Sequence, residues 1–438
     1  ESDGESVVID PIRDIDSYVN LLDINNSKLK FILETHFHAD FISGHLELNK
    51  KYGVPIIFGN NAEPAYDFLG KKDGEIIEVG KVKIKIIHTP GHTLESVCFL
   101  LIDEKGNDYS LFTGDTLFIG DVGIPDVAQR YQNTTKEELA SILYESLEKL
   151  MLLSDNVIVY PGHGKGTQCG KNLSSETSST IGKQKRLNYA LNFSRKEDFI
   201  KSICSNIPEP PDYFIEAVNK NANGYIDLEK ITNQSNNPIN KVKFLELLNN
   251  ENYIFIDTRN TDEFAKKHIK KSINIGLNGS FAISAGNLIK TNKKIVLICK
   301  KGREKESIIR LSRVGFDNII GYLDSSIDRS FDDKYLSSIP QINSTEVSDK
   351  SEFQILDVRT KSEYDNSHLS GSMNLPLYDI IKNYKKLDRG TKYLVHCQTG
   401  YRSMIASSIL RNYDFDVVEI KDGLQGFIKS NSKELIIY

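Results

Sequence analysis

The residues best able to do chemistry sit in four short segments near the start of the chain and in one near its end. Glu34-Thr35-His36-Phe37-His38-Ala39-Asp40-Phe41 sets two imidazoles and a carboxylate within five residues. His88-Thr89-Pro90-Gly91-His92, Thr113-Gly114-Asp115 and Pro161-Gly162-His163-Gly164 follow. A lone histidine in a turn reads as a hydrogen-bonded structural group, but four such segments in sequence can converge on a metal ion. Two histidines and one carboxylate with open positions are the ligand type of non-haem Fe(II) oxygenases, while hydrolytic zinc uses the same donor atoms. Far downstream, Cys397-Gln398-Thr399-Gly400-Tyr401-Arg402-Ser403 places a thiol near an arginine. That pairing suits a nucleophile carrying negative charge on sulfur.

The segments need elements to aim them. Each follows a short apolar or alternating run, namely Leu29 to Leu33, Lys81 to Ile87, Ser110 to Phe112 and Val157 to Tyr160. Such runs read as strands, so the candidate ligands fall on loops leaving carboxyl ends, with Gly or Pro beside them to let the backbone bend. Lys136 to Met151 carries a helical stripe of Leu139, Ile142, Leu143, Leu147 and Leu150, and Thr135 with Glu138 forms a capping box at its start. A further helix is predicted over Ile181 to Phe193. Pro208-Glu209-Pro210-Pro211 and the Asn-rich stretches at 219–223 and 233–240 read as a long connection between domains.

His-x-His-x-Asp, then Gly-His, Gly-Asp and Gly-His at these spacings resemble the metallo-beta-lactamase fold over roughly the first 190 residues. The hydrolases of that fold read His-x-His-x-Asp-His and hold two metal ions. Here Phe41 follows Asp40, so the second site lacks a ligand. The resemblance then narrows to persulfide dioxygenases, a one-iron branch, and implies His36, His92 and Asp115 as the Fe(II) ligands, one ion per chain. His38, Asp40 and His163 become groups that orient ligands or bound water. Members commonly carry Gly-Arg-Pro-Asp where this chain has Gly123-Ile124-Pro125-Asp126, and the missing arginine is expected to alter substrate affinity. In the subset fused to rhodanese domains a similar Gly-His-Gly segment carries a cysteine near the iron pocket, which makes Cys169 a candidate substrate contact or persulfide carrier.

Beyond residue 235 the chain repeats itself. Phe255-Ile256-Asp257-Thr258-Arg259 matches Ile355-Leu356-Asp357-Val358-Arg359 at an offset of 100, and Glu263, Phe264, His268 and Asn274 match Glu363, Tyr364, His368 and Asn374. Each copy then has a strand ending in cysteine, Cys299 or Cys397. The pattern resembles the rhodanese fold, an alpha/beta domain that moves sulfane sulfur. In the last copy four residues separate Cys397 from Arg402, where phosphatases of related architecture have five, and the tighter loop suits sulfur better than phosphate. Backbone N–H groups, a helix N-terminus and Arg402 would stabilise a persulfide on Cys397. In the middle copy Glu304 stands in the arginine's place, so that copy reads as degenerate, with Lys300, Lys301 and Arg303 as partial compensation. His268 and His368 read as groups that hold the repeat's fold.

The expected architecture is therefore α/β: a metallo-beta-lactamase αββα sandwich with its linker over 1–235, a degenerate rhodanese domain over 236–338 and an active one over 339–438. The length of 438 residues, 26% charged content and net charge of −5 fit a soluble multidomain protein without a basic patch for nucleic acid. The longest apolar run, Val97 to Ile102, is far short of the ~20 residues that span a bilayer. Five widely spaced cysteines fit free thiols in a reducing cytoplasm. No signal peptide is read, and with no initiator Met the first strand of the fold is expected to precede Glu1. The resemblance implies oxidation of a low-molecular-weight thiol persulfide by O2 to sulfite, with thiosulfate made at Cys397, in sulfide detoxification; a homo-oligomer is expected. The rival readings are a zinc-dependent glyoxalase II-type thiolester hydrolase fused to a sulfurtransferase, and a sulfur carrier whose metal domain is a relic.

Overall fold

The computed structural model describes all residues except 126–133, 165–169, 171–173, 206, 208–209, 324–330, 348–351, 431–435 and 438. The chain forms two compact units, Glu1–Leu228 and Glu229–Tyr438. Among the described residues, no helix is long and apolar enough to cross a membrane.

In the first unit β1 (Glu5–Ile9), β2 (Lys28–Leu33), β3 (Ile56–Gly59) and β4 (Leu69–Lys71) make a parallel sheet in that order. β5 (Ile76–Val79), β6 (Val82–His88), β7 (Val97–Ile102), β8 (Asp108–Gly114), β9 (Ile158–Pro161) and β10 (Ser179–Thr180) make a second sheet, antiparallel except where β8 runs parallel to β9. Leu33 and Ile57 of the first sheet pack on Ile77, Ile84, Ile86, Val97 and Phe99 of the second, so the sheets stack face to face. Helices cover both outer faces. Leu22 and Leu48 lie on Ile32, Ile56 and Phe58. Leu143, Leu147 and Leu150 of the helix Lys136–Met151 lie on Cys98, Leu100, Leu111 and Val159. The result is the four-layer αββα sandwich. The capping box is present: Glu138 N–H donates to Thr135 Oγ1 at 3.2 Å and Thr135 N–H to Glu138 Oε2 at 2.8 Å. The predicted helix at 181–193 splits into Ile181–Leu187 and a single 3₁₀ turn, Tyr189–Leu191.

One expectation is corrected. The Asn-rich stretch at 219–223 is not open linker but the end of an amphipathic helix, Asp212–Asn223, which buries Tyr213, Phe214, Ala217 and Asn221. The apolar stripe at i, i+1 and i+4 outweighs the weak helix propensity of asparagine. Part of 233–240 is helical as well, within Leu228–Ser235.

The second unit holds one topology twice. β11 (Pro238–Ile239), β12 (Tyr253–Asp257), β14 (Ser272–Asn274), β15 (Lys294–Ile298) and β16 (Ile319–Leu323) form a parallel sheet ordered β11-β16-β15-β12-β14, beside a small pair of β13 (His268–Ile269) and β17 (Leu336–Ser337). β18 (Gln341–Ile342), β19 (Phe353–Asp357), β21 (Met373–Asn374), β22 (Lys392–His396) and β23 (Asp416–Ile420) repeat it as β18-β23-β22-β19-β21, with β20 (His368–Leu369) in the position of β13. The same side chains do the same work in both. Arg259 Nε donates to Asp257 Oδ1 at 2.9 Å and Arg359 Nε to Asp357 Oδ1 at 3.0 Å. His268 and His368 stack on Phe264 and Tyr364 with ring centroids 3.9 and 4.0 Å apart, each ring meeting the carbonyl of that aromatic residue.

Candidate functional sites

The loops leaving β2, β6, β8 and β9 meet at one end of the sandwich. They bring His36, His92 and Asp115 together with one ligand atom of each within 4.8 Å of the others, and all three are buried. His36 Nε2 lies 3.9 Å and His92 Nε2 3.6 Å from Asp115 Oδ2. Ligands ~2.1 Å from a shared ion stand ~3–4 Å apart, which is the spacing found.

Hydrogen bonds fix both rings for ligation. Thr35 Oγ1 donates to Asp10 Oδ2 at 2.8 Å, so toward His36 Nδ1, 2.9 Å away, it can only accept. His36 therefore carries its proton on Nδ1 and turns the Nε2 lone pair to the site. His92 Nδ1 faces the carbonyl of Ile124 at 2.8 Å, and a carbonyl only accepts, so its Nε2 is bare too. Burial, with His38, His92 and His163 nearby, pushes His36 well below the ordinary histidine range. It stays neutral and able to bind a cation. Both carboxylate oxygens of Asp115 are buried without a hydrogen-bond donor. Orphaned acceptors of this kind are costly unless a cation meets them. A Cβ on Gly162 would lie 2.6 Å from Asp115 Oδ1, so the turn after β9 is glycine where the carboxylate needs room. This donor set fits a metal ion.

The other three candidates surround that cluster unequally. His163 Nε2 lies 3.3 Å from Asp40 Oδ2 and 3.5 Å from Asp115 Oδ1. Although burial opposes it, the two carboxylates raise His163 above its ordinary value. His38 turns the opposite way, with Nε2 3.2 Å from Asp10 Oδ1 and 3.8 Å from Glu34 Oε2. Burial would lower it, but the two carboxylates prevail and push it up to about 10. Glu34, buried beside Asp10, is raised well above the carboxylate range. The Phe41 ring lies 4.4 Å from the His38 ring, an apolar face in place of a ligand.

Several positioning groups carried no signal in the sequence. Asp10 directly follows β1 and holds the loop after β2 by accepting from Thr35 N–H at 2.8 Å and from the Thr35 hydroxyl. Asn221, far along the chain, donates Nδ2 to the carbonyls of His38 and Phe41, both at 2.8 Å, and its Oδ1 accepts from Ser43 N–H. At Ile124, where an arginine was missed, the backbone carbonyl is what touches His92. Cys169 and Asp126 lie outside the described residues.

In the last repeat Cys397 directly follows β22, is 1% exposed and accepts the Gly400 N–H at 3.2 Å. The helix Tyr401–Asn412 begins at the loop's end, with its positive pole toward the sulfur. Arg402 forms a two-pronged pair with Glu363, both bonds 2.7 Å. Burial opposes ionisation of Glu363, but Arg402 holds its carboxyl down at about 2. In the middle repeat burial, together with Asp257 and Glu304, pushes the Cys299 thiol up to about 11, although Ser307 Oγ sits 3.5 Å from it. The two repeats share a cavity of about 380 Å³, lined by Glu263, Lys300 and Arg303 of the middle copy and by Thr399, Gly400 and Tyr401 of the last. Tyr401 reaches across it, its hydroxyl donating to the Gly276 carbonyl at 2.9 Å.

Compared with known proteins, residues 1–163 match the metallo-beta-lactamase superfamily, and residues 241–329 and 344–430 each match the rhodanese-like domain. A probable hydroxyacylglutathione hydrolase of Schizosaccharomyces pombe is 35% identical over 135 residues, 31% of this chain and 48% of that protein. The chain thus spans about half the length of that relative. An uncharacterized protein of Mycobacterium tuberculosis is 30% identical over 193 residues, 38% of this chain and 83% of that one. The crystal structure of a metallo-beta-lactamase from Staphylococcus aureus is 30% identical with a TM-score of 0.64, covering 73% of this chain and 91% of that chain.

Proposed function

Since the chain belongs to the metallo-beta-lactamase superfamily and carries two rhodanese-like domains behind that domain, we propose that it is a non-haem Fe(II) persulfide dioxygenase coupled to a sulfurtransferase. The observation that carries the reading is the donor set: two Nε2 lone pairs and one carboxylate close together, with Phe41 where a two-metal hydrolase needs a further ligand. A non-haem iron bound there supplies the redox chemistry by which persulfide, O2 and water become the parent thiol and sulfite. The protein's part is orientation. The relay from Asp10 through Thr35 to His36, and the Ile124 carbonyl on His92, hold both rings in the ligating tautomer. His163, raised by Asp115 and Asp40, stands beside the ligand set where it would hold a proton. His38 and Asp40 position the loop that carries His36.

Cys397 is the nucleophile of the second reaction. Its thiolate takes a sulfane sulfur from a donor, and sulfite then attacks that sulfur, making thiosulfate and returning the thiolate. The Gly400 N–H and the helix N-terminus favour the negative charge at both stages, and Arg402 stands locked by Glu363 at the same loop. Cys299, with its thiol raised and Glu304 beside it, is the inactive counterpart.

A zinc thiolester hydrolase is the second reading, favoured by the name of the Schizosaccharomyces pombe relative. One experiment separates the two. Anaerobic purification with metal quantification should give about one iron per chain, and glutathione persulfide or coenzyme A persulfide should drive oxygen uptake that His92→Ala abolishes. Two zinc ions per chain with thiolester hydrolysis and no oxygen uptake would reverse the assignment.

A further inference from the structure

The Cys397 loop has a second layer behind it. Ser403, on the first turn of the helix Tyr401–Asn412, sets Oγ 3.6 Å from Cys397 Sγ, 2.7 Å from Glu419 Oε1 and 2.9 Å from the Gly400 carbonyl. The hydroxyl proton thus faces two oxygen acceptors, and the sulfur becomes a third once Cys397 is a thiolate; as a thiol, Cys397 donates to Ser403 Oγ. Glu419 lies on β23, inside the sheet between β18 and β22, and is fully buried. Its other oxygen accepts from Gln341 Nε2 at 2.7 Å. A carboxyl in an interior strand whose bonded partners are neutral is expensive to keep, and such groups concentrate where they serve chemistry.

The middle copy supplies an internal comparison. By strand register Val395 opposes Glu419 in the last copy, and Leu297 opposes Tyr322 in the middle one. Tyr322 therefore stands where Glu419 would be, just as Glu304 stands in the place of Arg402. The middle copy has Lys305 in the place of Ser403 and meets its cysteine with a hydroxyl from a different position, Ser307, and it lacks both the arginine and the buried carboxyl.

We propose that Glu419 is a positioning residue for sulfur transfer: as an acid it donates to Ser403 Oγ and leaves the Ser403 proton for the Cys397 sulfur, and as a carboxylate it takes that proton itself. The inference rests on Cys397 being the sulfur-transfer nucleophile. In the transfer, sulfite attacks the outer sulfur of the Cys397 persulfide, the sulfur–sulfur bond breaks, and its electron pair leaves on Cys397 Sγ. No outside oxidant or reductant is needed. A hydrogen bond from Ser403 stabilises that growing thiolate. The groups facing Glu419 are Gln341 from β18, Ser403 from the helix, Lys421 just past β23 and Asp262 of the middle copy. Burial, reinforced by Asp262, pushes the carboxyl up to about 7, so both forms exist near neutrality.

The test follows alkylation of Cys397 by iodoacetamide from pH 5 to 9 on the whole protein, read by peptide mass spectrometry, beside sulfurtransfer from thiosulfate to cyanide. Glu419→Gln, a neutral donor at every pH, should raise the alkylation rate at pH 8 about tenfold and erase an inflection near 7 that the parent shows. In a Ser403→Ala background the same substitution should change nothing, because the effect travels through the hydroxyl. Ser403→Ala alone should also erase the inflection, which keeps the inference open to refutation if Glu419→Gln folds poorly. An unchanged profile in Glu419→Gln, or an effect that persists undiminished without Ser403, would overturn it. Sulfurtransfer surviving in Cys397→Ser would instead refute the underlying assignment of the nucleophile.

Discussion

At the level of single residues, hydrogen-bond direction rather than proximity makes His36 and His92 candidate ligands. His38 is as close in sequence, yet its Nε2 faces Asp10 and Glu34 and is held protonated. Glu419 makes a measurable prediction of its own. Its folded value of about 7 lies above the ordinary carboxylate value of 4.5. Between those values the folded chain keeps a proton that the unfolded chain has released, so stability falls as pH rises from about 4.5 through about 7. The loss should approach ~3 kcal/mol at most for a shift of this size. Urea melts of the parent and Glu419→Gln at pH 5, 6.5 and 8 check this. The substitution should be near neutral at pH 5 and stabilising at pH 8; equal effects at all three values would contradict the protonation argument.

The elements act as aiming devices. Four strands deliver their loops to one end of the sandwich, and β6, β8 and β9 end in turns that glycine or proline allows. The helix Asp212–Asn223 then locks the ligand loop through Asn221. Asn221→Ala should leave the carbonyls of His38 and Phe41 without their donor, costing ~1–3 kcal/mol in thermal or urea unfolding of the first unit and lowering its metal content. In the second unit the repeats meet through Tyr401. A Cβ on Gly279 would lie 2.4 Å from Tyr401 Cε2. Gly279→Ala should therefore lower the thiosulfate sulfurtransfer proposed for Cys397 although it lies in the other copy; an unaltered rate would mean the middle copy does not shape the Cys397 loop.

For the molecule as a whole, the candidate metal cluster belongs to the unit Glu1–Leu228 and Cys397 to the unit Glu229–Tyr438. The two proposed chemistries, assigned to different compact units, should fail independently. Iron chelation should abolish persulfide-dependent oxygen uptake while thiosulfate sulfurtransfer stays within about twofold, and Cys397→Ser should do the reverse. Loss of both activities under either treatment would show that they share one site.

Much of this was legible from the chain alone. Ligand spacing after apolar runs, the capping box at Thr135, the repeat at an offset of 100 and Glu304 in the place of Arg402 are all local patterns, and local patterns follow from backbone geometry and side-chain type. They carried the α/β plan of a metallo-beta-lactamase domain followed by two rhodanese-like domains and singled out the candidate ligands. What tertiary structure decided is everything that depends on partners distant in sequence. Asn221 meets a loop 180 residues away, Asp10 fixes a tautomer through Thr35, and Glu419 reaches Cys397 only through Ser403. The Asn-rich helix was misread because its composition argues for a linker while its buried face argues for packing. Periodicity can say that a residue will be buried, but only the assembled fold says against what, and direction and burial set the charge on a carboxyl or an imidazole.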